Sequence, residues 1–304
     1  MNSDAVNAAH IARVSALDAL VAEPIPLTGV MLVAERDGSS AVAIAAYTEA
    51  APDTAARTWD ATRRHSLDVR LAGPARAAVL GDLLDQWLDG IDSTAGDTDS
   101  AAVVELPSRD TEAVLALVHR GFVPINVLAI RTAGRPSPPA ETDVRIRPAT
   151  PADLDVAVEL NLEVVRYDAP FGKVTPRPET AEVLRNQLTY LFGLSEPSVW
   201  LAERNDQVVG LVHVQLPPTS AWVNRYAHAR FGGVGYLACL GVREGTRGRG
   251  VGGALAAHAH AVLDAAVPAT LLHHTLPNPR STPFWYRHGY RPLWTVWTRR
   301  PAQR

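Results

Sequence analysis

The sequence has a single cysteine, Cys239, among its 304 residues. One thiol cannot form an intramolecular disulfide, and a metal site built from several cysteines is excluded for the same reason. Positive charge is not in excess either, because the formal net charge is −3; we therefore expect no nucleic-acid partner and no binding to an acidic membrane surface. The sequence also lacks an apolar run of about 18 residues and a basic leader with an apolar stretch. These absences predict a cytoplasmic protein without a metal or a membrane span.

Proline and small polar residues interrupt the pattern of apolar residues near the middle of the chain, in TAGRPSPPAET at 132–142. Such a segment suits neither a helix nor a strand, and we interpret it as a linker. After it, the periodicities predict a strand, two helices, a hairpin, the buried strand YLACLGV, an alanine-rich helix, the strand ATLLHHTL and a last helix and strand. This order is typical of an α/β unit of roughly 160 residues, the size of one domain.

The residues before the linker repeat this order in weaker form. When the first half is shifted so that Gly121 falls on Gly289, the strand, helix and strand around these glycines coincide without gaps. Each of the two glycines is also followed by an aromatic residue, so an internal repeat explains the match better than chance. We predict two copies of one fold, in residues 1–135 and 136–304.

A glycine- and arginine-rich stretch, REGTRGRGVGGAL at 243–255, follows the strand YLACLGV and opens the alanine-rich helix. Glycine lacks a Cβ atom, so a ligand can approach the backbone N–H groups of this stretch closely. The N–H groups of a first helical turn are unpaired, and the helix dipole favours an anion there. With the nearby arginines they predict a phosphate site, in which a pyrophosphate would use more donors than one phosphate. The residues of this predicted site are Arg247, Gly248, Arg249, Gly250, Val251, Gly252 and Gly253.

Three kinds of anion-binding loop compete for this stretch. A Walker A loop needs a lysine followed by serine or threonine after its glycines, and neither pair occurs here. A dinucleotide-binding loop fits the spacing of Gly248, Gly250 and Gly253, but it requires an acidic residue about 20 positions later, where none stands. A flexible glycine turn with solvated arginines is the alternative without a ligand.

The third kind of loop belongs to the GNAT superfamily of acyl-CoA N-acyltransferases, which residues 144–300 resemble. RGRGVG at 247–252, after a strand that ends in LGV, resembles the acyl-CoA motif of that family. NPRSTPFWYRHGYRP at 278–292 resembles its second motif, an asparagine followed by a helix that ends in a glycine-aromatic pair. RIRPATPADL at 145–154 resembles its first strand and helix start. With the internal repeat, the chain resembles a tandem GNAT protein, in the layout of mycothiol synthase.

The resemblance implies an α/β (α+β) fold in which each copy has a mixed, mostly antiparallel central sheet flanked by helices, with a splayed strand at the CoA site. It implies acetyl-CoA as the co-substrate, with the CoA pyrophosphate on the amides of the loop. Leu240 and Val242 on the splayed strand would offer backbone groups to the pantetheine and to the acyl carbonyl. Asn278 matches the asparagine that hydrogen-bonds pantetheine, although it also suits a turn because it stands between two prolines.

The first copy departs from the motif where the ligand would bind. Its counterpart loop, LAGPARAAVLGDLL at 71–84, has alanine, valine and leucine in place of the close glycines. Their Cβ atoms would obstruct a diphosphate, and Asp82 would repel it. Asp110 stands in the place of Asn278. We predict that residues 1–135 have lost CoA binding and that they support or shape the second copy.

The sequence of the last predicted helix does not decide which residue is the general acid. The family commonly uses a tyrosine four residues before the glycine that ends this helix, and that position is Trp285. Tyr286 follows it, and adjacent helical residues point about 100° apart, so Tyr286 replaces the usual acid only if the helix starts differently or bulges. Tyr286 is our candidate catalytic residue. The alternative is that the CoA thiol, whose pKa is about 8.5, leaves as a thiolate with little help.

Four residues are candidates for the acceptor side. Tyr167 and Asp168 lie in RYDAPFG, between two predicted helices, where the family closes over its acceptor. The carboxylate would favour a cationic amine, and it is a candidate general base together with the histidines. His213 lies on the hairpin and His274 on a later strand, where His273 points to the opposite face. The alternatives without a function are that RYDAPFG is an ordinary loop between helices and that each histidine is a packed or surface side chain.

Two functions are therefore predicted as alternatives. The first is an acetyl-CoA-dependent N-acetyltransferase that acts on a primary amine by direct transfer. The second is a non-catalytic CoA-binding or interaction protein with the same fold, which Trp285 at the acid position favours. A small amine, an amino-sugar thiol precursor, a peptide N-terminus and an antibiotic are all open as acceptors.

Overall fold

A computed structural model describes residues 2–29, 31–52, 54–92, 95–138 and 143–303. Within them, eleven strands form one continuous sheet. The strands are β1 Leu32–Arg36, β2 Ser39–Glu49, β3 Arg63–Ala72, β4 Ser100–Pro107, β5 Val123–Thr132, β6 Arg145–Pro148, β7 Val199–Arg204, β8 Gln207–Gln215, β9 Gly235–Val242, β10 Ala269–Thr275 and β11 Arg291–Arg299. Their order across the sheet is β1-β2-β3-β4-β11-β5-β10-β9-β8-β7-β6. The pairs β3 with β4 and β9 with β10 are parallel, and the other neighbours are antiparallel.

Helices cover both faces of this sheet. Those of the described residues are α1 Ser3–Leu17, α2 Ala56–Trp59, α3 Arg76–Asp89, α4 Val114–Val118, α5 Leu154–Asp168, α6 Thr180–Phe192, α7 Val251–Ala266 and α8 Ser281–Arg287. Leu271 of β10 packs with Val14 of α1, whereas the next residue, Leu272, packs with Leu255 of α7. Because successive side chains of a strand point to opposite faces, α1 and α7 lie on opposite faces of the sheet.

The two halves of the chain exchange their last strands. β4 pairs with β11 and β10 pairs with β5, while β5 and β11 pair with each other at the centre of the sheet. Trp297 of β11 is consequently part of the core of the N-terminal half, and Val127 and Ala129 of β5 are part of the core of the C-terminal half. The sheet thus runs continuously through both halves of the chain. The division into residues 1–135 and 136–304 stays a prediction from the sequence repeat.

β9 and β10 separate soon after they begin. They pair only at Gly235 with Thr270 and at Tyr236 with Leu271, although β9 continues well beyond. On its other side β9 pairs with β8, with an irregularity that leaves Ala238 out of register. The predicted splayed strand and the mixed, mostly antiparallel sheet are confirmed. In the described structure, the edge of β9 that faces β10 has no strand partner beyond Tyr236.

The segment predicted as a linker is held against α7 over its described part. The N–H of Gly134 donates to Asp264 at 3.1 Å, and the hydroxyl of Ser137 lies 2.7 Å from Nδ1 of His260. Residues 139–142 of this segment lie outside the described residues.

Candidate active site

A cavity of about 640 Å³ opens beside the splay of β9 and β10. Its walls come from the end of α5, from β9, from the loop before α7 and from α8. Most of the residues predicted from the sequence meet there. Those that line the cavity are Tyr167, Asp168, Leu240, Val242, Arg247, Gly248, Gly250, Gly252, Gly253 and Asn278.

The loop before α7 presents free backbone donors to this cavity. Gly248 and Gly250 have φ angles of +80° and +81°, a left-handed conformation that favours glycine. α7 begins at Val251, and its first helical bond runs from the N–H of Ala254 to the carbonyl of Gly250 at 3.0 Å. The helix itself therefore leaves the N–H groups of residues 251–253 unused, where the helix dipole favours an anion.

Arginine side chains give the cavity a positive potential. Nε of Arg247 donates to the carbonyl of Val242 at 3.0 Å, and its guanidinium lies 4.8 Å from the ring centroid of Tyr167. The guanidinium of Arg280 lies 5.7 Å from the same ring. Arg287 also lines the cavity, whereas Asp168 is the one carboxylate among its lining residues in the described structure. This balance of charge favours an anionic ligand.

Asn278 joins the start of α8 to the end of α5. Its Oδ1 accepts hydrogen bonds from the N–H groups of Arg280 and Ser281, both at 2.9 Å. Its Nδ2 donates to Oδ1 of Asp168 at 2.7 Å. The turn-forming role is thus present, and an amide has a second N–H to offer to a ligand in the cavity.

Burial raises the pKa of Asp168 to about 6, against the opposing effects of the Asn278 hydrogen bond and the positive charge of Arg247. The carboxyl therefore exchanges its proton close to neutral pH. A group with these properties, placed in the wall of a cavity, is suited to accept a proton from a bound amine.

The helix α8 turns Trp285 toward the cavity and Tyr286 away from it. Trp285 is 7% exposed and lines the cavity. Tyr286 is 37% exposed, lies outside the lining residues and packs on His274 with ring centroids 5.4 Å apart. The helix has neither the shifted start nor the bulge that would bring Tyr286 into the position of Trp285.

Both candidate histidines lie outside the cavity lining. His213 is buried on β8 between Val199 and Cys239, and its burial lowers its pKa to about 4. His274 is buried beneath α8 with Nδ1 3.2 Å from the hydroxyl of Thr282. Burial lowers its pKa to about 4 as well. Both imidazoles are therefore neutral at pH 7.

Two residues of the predicted anion loop also point elsewhere. Val251 is buried in the core that α7 forms with the sheet. Arg249 is not among the lining residues, and its carbonyl accepts a hydrogen bond from Arg204 at 3.3 Å. Conversely, Arg280 and Arg287 line the cavity, although they are not among the residues predicted from the sequence. The sequence feature that could have identified them is the presence of two arginines after Asn278, one before and one at the end of the last helix, in NPRSTPFWYR.

The equivalent gap in the N-terminal half is filled by α1. β3 and β4 pair only as far as Leu67 with Val104. Beyond that point, Nδ1 of His10 accepts a hydrogen bond from the N–H of Leu71 at 3.1 Å. Asp110, the counterpart of Asn278, forms an ion pair with Arg13 of the same helix at 2.7 Å.

The counterpart of the glycine loop is closed by its own side chains. The guanidinium of Arg76, at the start of α3, donates to the carbonyl of Gly73 and to Glu112. The hydroxyl of Ser39 accepts a hydrogen bond from the N–H of Ala75 at 2.7 Å. The N–H of Ala75 and the guanidinium of Arg76 are therefore occupied within the protein.

Residues 166–290 match the family model described as Acetyltransferase (GNAT) family. Over this segment of its C-terminal half, the chain is similar to the GNAT family of acetyltransferases. A likeness in fold extends over more of the chain, to a GCN5-related N-acetyltransferase from Sphaerobacter thermophilus, which is 17% identical with a TM-score of 0.54 and covers 88% of this chain and 80% of its own. The GNAT fold supports acyl transfer in general, and an acyl-CoA is the donor that it suits.

Two further solved structures are similar at lower scores. A GCN5-related N-acetyltransferase from Kribbella flavida is 14% identical with a TM-score of 0.43, and covers 97% of this chain and 94% of its own. A functionally unknown conserved protein from Staphylococcus epidermidis is 14% identical with a TM-score of 0.47, and covers 88% of this chain and 92% of its own. No curated protein matches the chain. The layout of mycothiol synthase stays a prediction.

The described residues include no helix that is long and apolar enough to cross a membrane. In the same part of the chain, no group of three or more His, Cys, Asp or Glu side chains could hold a metal ion.

Proposed function

We propose that this protein is an N-acetyltransferase that moves the acetyl group of acetyl-CoA to a primary amine by direct transfer, with residues 136–304 as its catalytic part. One arrangement carries the proposal: the cavity joins the free amides of the glycine loop, three arginines and one carboxylate to the unpaired edge of a splayed strand. The amides and arginines, the strand edge and the carboxylate each support a different step of the reaction.

The donor is proposed to bind along β9. The amides of residues 251–253 and the guanidinium of Arg247 would hold the CoA pyrophosphate. Because the N–H of Arg243 donates to Val209 on the β8 side, the backbone groups of Leu240 and Val242 turn to the gap that β10 leaves. The backbone of Leu240 and the N–H of Val242 would hydrogen-bond the pantetheine and the acyl carbonyl, while the carbonyl of Val242 accepts from Arg247. An N–H aimed at that carbonyl stabilises the negative charge that develops on its oxygen during the attack.

The acceptor is proposed to lose its proton to Asp168. An ammonium group must become a neutral amine before its nitrogen can attack the thioester carbon. The nitrogen then forms a C–N bond, the C–S bond breaks, and CoA leaves as a thiolate. The second proton of the amine goes to the thiolate or to solvent. Asp168 suits this step because its carboxyl lies in the cavity wall and is held in place by Asn278.

We expect Asp168→Asn to lower kcat/KM by about 100-fold, because a positioned general base typically contributes at least that much. In the unchanged protein, kcat/KM should rise with pH through about 6, where Asp168 loses its proton, and this rise should be absent in the variant. The measurement is a pH profile from 5 to 8. Asp155→Asn, an exposed acid on the same helix that pairs with Arg185, is the control and should leave the profile unchanged.

The same substitution, which is expected to lower activity, is expected to raise the stability of the protein at high pH. The folded-state pKa of Asp168 lies above its ordinary value of 3.8, so its contribution to stability is present below pH 4 and is lost as pH rises through about 6. Asp168→Asn should therefore be more stable than the parent at pH 8, by roughly 1–3 kcal/mol, and equal to it near pH 4. Urea unfolding at the two pH values measures this, and equal differences at both would contradict it.

Departure of CoA is proposed to need no acid from the protein, since a thiol of pKa about 8.5 leaves readily as a thiolate. Tyr286, the acid candidate from the sequence, lies beyond the cavity lining in this structure. We expect Tyr286→Phe to keep the turnover rate within about twofold of the parent. A rate that falls more than tenfold, with the fold intact, would restore Tyr286 as the general acid.

The N-terminal half is proposed to fix the segment that follows Asp168 rather than to bind CoA. Lys173 forms an ion pair with Asp60, and the N–H of Thr175 donates to the carbonyl of Thr58 at 2.8 Å. Because α1 fills the gap between β3 and β4, one CoA should bind per chain, and calorimetric titration of the whole protein gives this ratio directly.

Release of free CoA thiol from acetyl-CoA across a panel of primary amines tests the proposed function. An amine-dependent release well above background hydrolysis supports it. The second candidate, a non-catalytic CoA-binding protein, is favoured by Trp285 in the cavity wall; it would bind CoA in the same cavity and release none.

A further inference from the structure

We propose that the N-terminal half binds a small zwitterion with an apolar side chain, of the kind of a free α-amino acid, in a second cleft. This cleft has a volume of about 370 Å³, which is in the lower part of the range for small-molecule sites. It lies on the face of the sheet that α1 covers, over β2, β3 and β4, and is separate from the proposed CoA cavity.

The charged side chains of the cleft are balanced. It is lined by three arginines and three carboxylates, namely Arg64, Arg70, Arg225, Glu23, Asp68 and Glu105. The CoA cavity instead has three arginines and one carboxylate among its described lining residues. A lining with equal numbers of opposite charges favours a ligand that carries both signs over a phosphate or another polyanion.

Arg225 is the group that can receive the carboxylate of such a ligand. Arg64 is engaged with Glu105 at 2.8 Å and Arg70 with Asp68. Within the part of the chain that the structure describes, Arg225 makes no ion pair, and its guanidinium lies 4.5 Å from the ring centroid of Tyr226. Its Nη2 also donates to the hydroxyl of Tyr226, and its remaining N–H groups are available to a carboxylate.

Asp68 is the group that can receive the ammonium. Its side chain is 62% exposed, whereas that of its partner Arg70 is 7% exposed. Arg70 also donates to the carbonyl of Ile25 at 2.7 Å, so it is fixed in the wall while the carboxylate of Asp68 faces outward. An exposed carboxylate beside a fixed arginine can accept a second cation.

Apolar side chains complete the cleft. Ile44 and Val103 on the sheet and Trp294 on β11 line it. Ile25 stands among the lining residues with 77% of its surface exposed. An exposed isoleucine next to a buried apolar floor is suited to cover an apolar ligand side chain, which would remove both from water.

The cleft also touches the C-terminal half. Arg225 and Tyr226 end a 3₁₀ helix, Ala221–Tyr226, whose Trp222 lies against Tyr236 with ring centroids 4.8 Å apart. Tyr236 is the last residue at which β9 pairs with β10. A ligand in the cleft would therefore contact the segment that packs on the start of the splay.

Calorimetric titration of the whole protein with L-leucine, L-methionine and L-phenylalanine at millimolar concentrations tests the proposal without any need for acyl transfer. We expect at least one of them to bind once per chain, and its des-carboxy amine and its des-amino acid to bind at least tenfold more weakly. Arg225→Gln should weaken binding about tenfold, because it removes the carboxylate partner. Arg230→Gln, an exposed arginine in the same connection between β8 and β9, should not.

Gly252→Leu, which places a side chain in the CoA cavity, should leave amino-acid binding unchanged. The proposal is overturned if none of the three amino acids binds. It is also overturned if Arg225→Gln leaves their affinity unchanged, or if binding is lost in Gly252→Leu, since the ligand would then occupy the CoA cavity.

Discussion

Residues 136–304 produced without the N-terminal half are expected to show no cooperative thermal transition. β5 pairs with β10 on one side and with β11 on the other. Without it, both strands present an unpaired edge, and the buried side chains of Val127 and Ala129 are missing from the core of this half. Near-UV circular dichroism during a thermal scan measures the effect, and the fragment should lack the signal of fixed aromatic side chains.

A split chain is the matched control for this truncation. Co-expressed pieces 1–138 and 143–304 keep every described strand, since the break falls in residues outside the described ranges. We expect the two pieces to purify as one complex and to unfold in one transition. A cooperative transition of the isolated 136–304 piece at the temperature of the whole protein would contradict the strand exchange.

Gly252→Leu is expected to weaken CoA binding at least 100-fold, which corresponds to about 3 kcal/mol. A Cβ atom at Gly252 would meet the ring of Phe284 at 3.5 Å, an ordinary contact, and the position has no left-handed φ. The backbone therefore tolerates the change, and the rest of the leucine side chain must enter the cavity that Gly252 lines. It would cover the free amides of residues 251–253. Calorimetric titration with CoA measures the loss.

Gly245→Leu is the control for this substitution. Gly245 lies in the same loop, outside the cavity lining, and a Cβ atom there meets open space. CoA affinity should stay within about twofold of the parent. The thermal stability of Gly252→Leu should be unchanged or higher, because leucine favours a helix more than glycine does. A stable Gly252→Leu variant that binds CoA normally would refute the proposed pyrophosphate site.

The fold of the C-terminal half could be predicted from the sequence where local features determine it. The strand YLACLGV corresponds to β9, and the alanine-rich helix begins at Val251 as α7. The strand exchange could not be predicted, because β5 and β11 are both apolar strands that follow a glycine and an aromatic residue. Which of them pairs with β4 depends on contacts between residues far apart in the chain.

The candidate site shows the same division between local and distant effects. The glycine loop is a property of consecutive residues, and its main elements line the cavity. The positions of Tyr286, His213 and His274 depend on where α8 starts and on how strands face the helices, so residue type alone could not place them. Arg280 and Arg287 were overlooked because a basic side chain becomes informative only when the cavity next to it is known.

The strand exchange has a consequence for synthesis on the ribosome. β4 is completed early, yet its antiparallel partner β11 is translated only after most of the C-terminal half has emerged. Until then, the nascent N-terminal half has an uncovered strand edge, a feature that promotes association between chains. The N-terminal half therefore cannot finish folding before the C-terminal half has been synthesised, unlike a protein whose domains fold one after another during translation. Its first half can complete its sheet only once translation has reached the last strand.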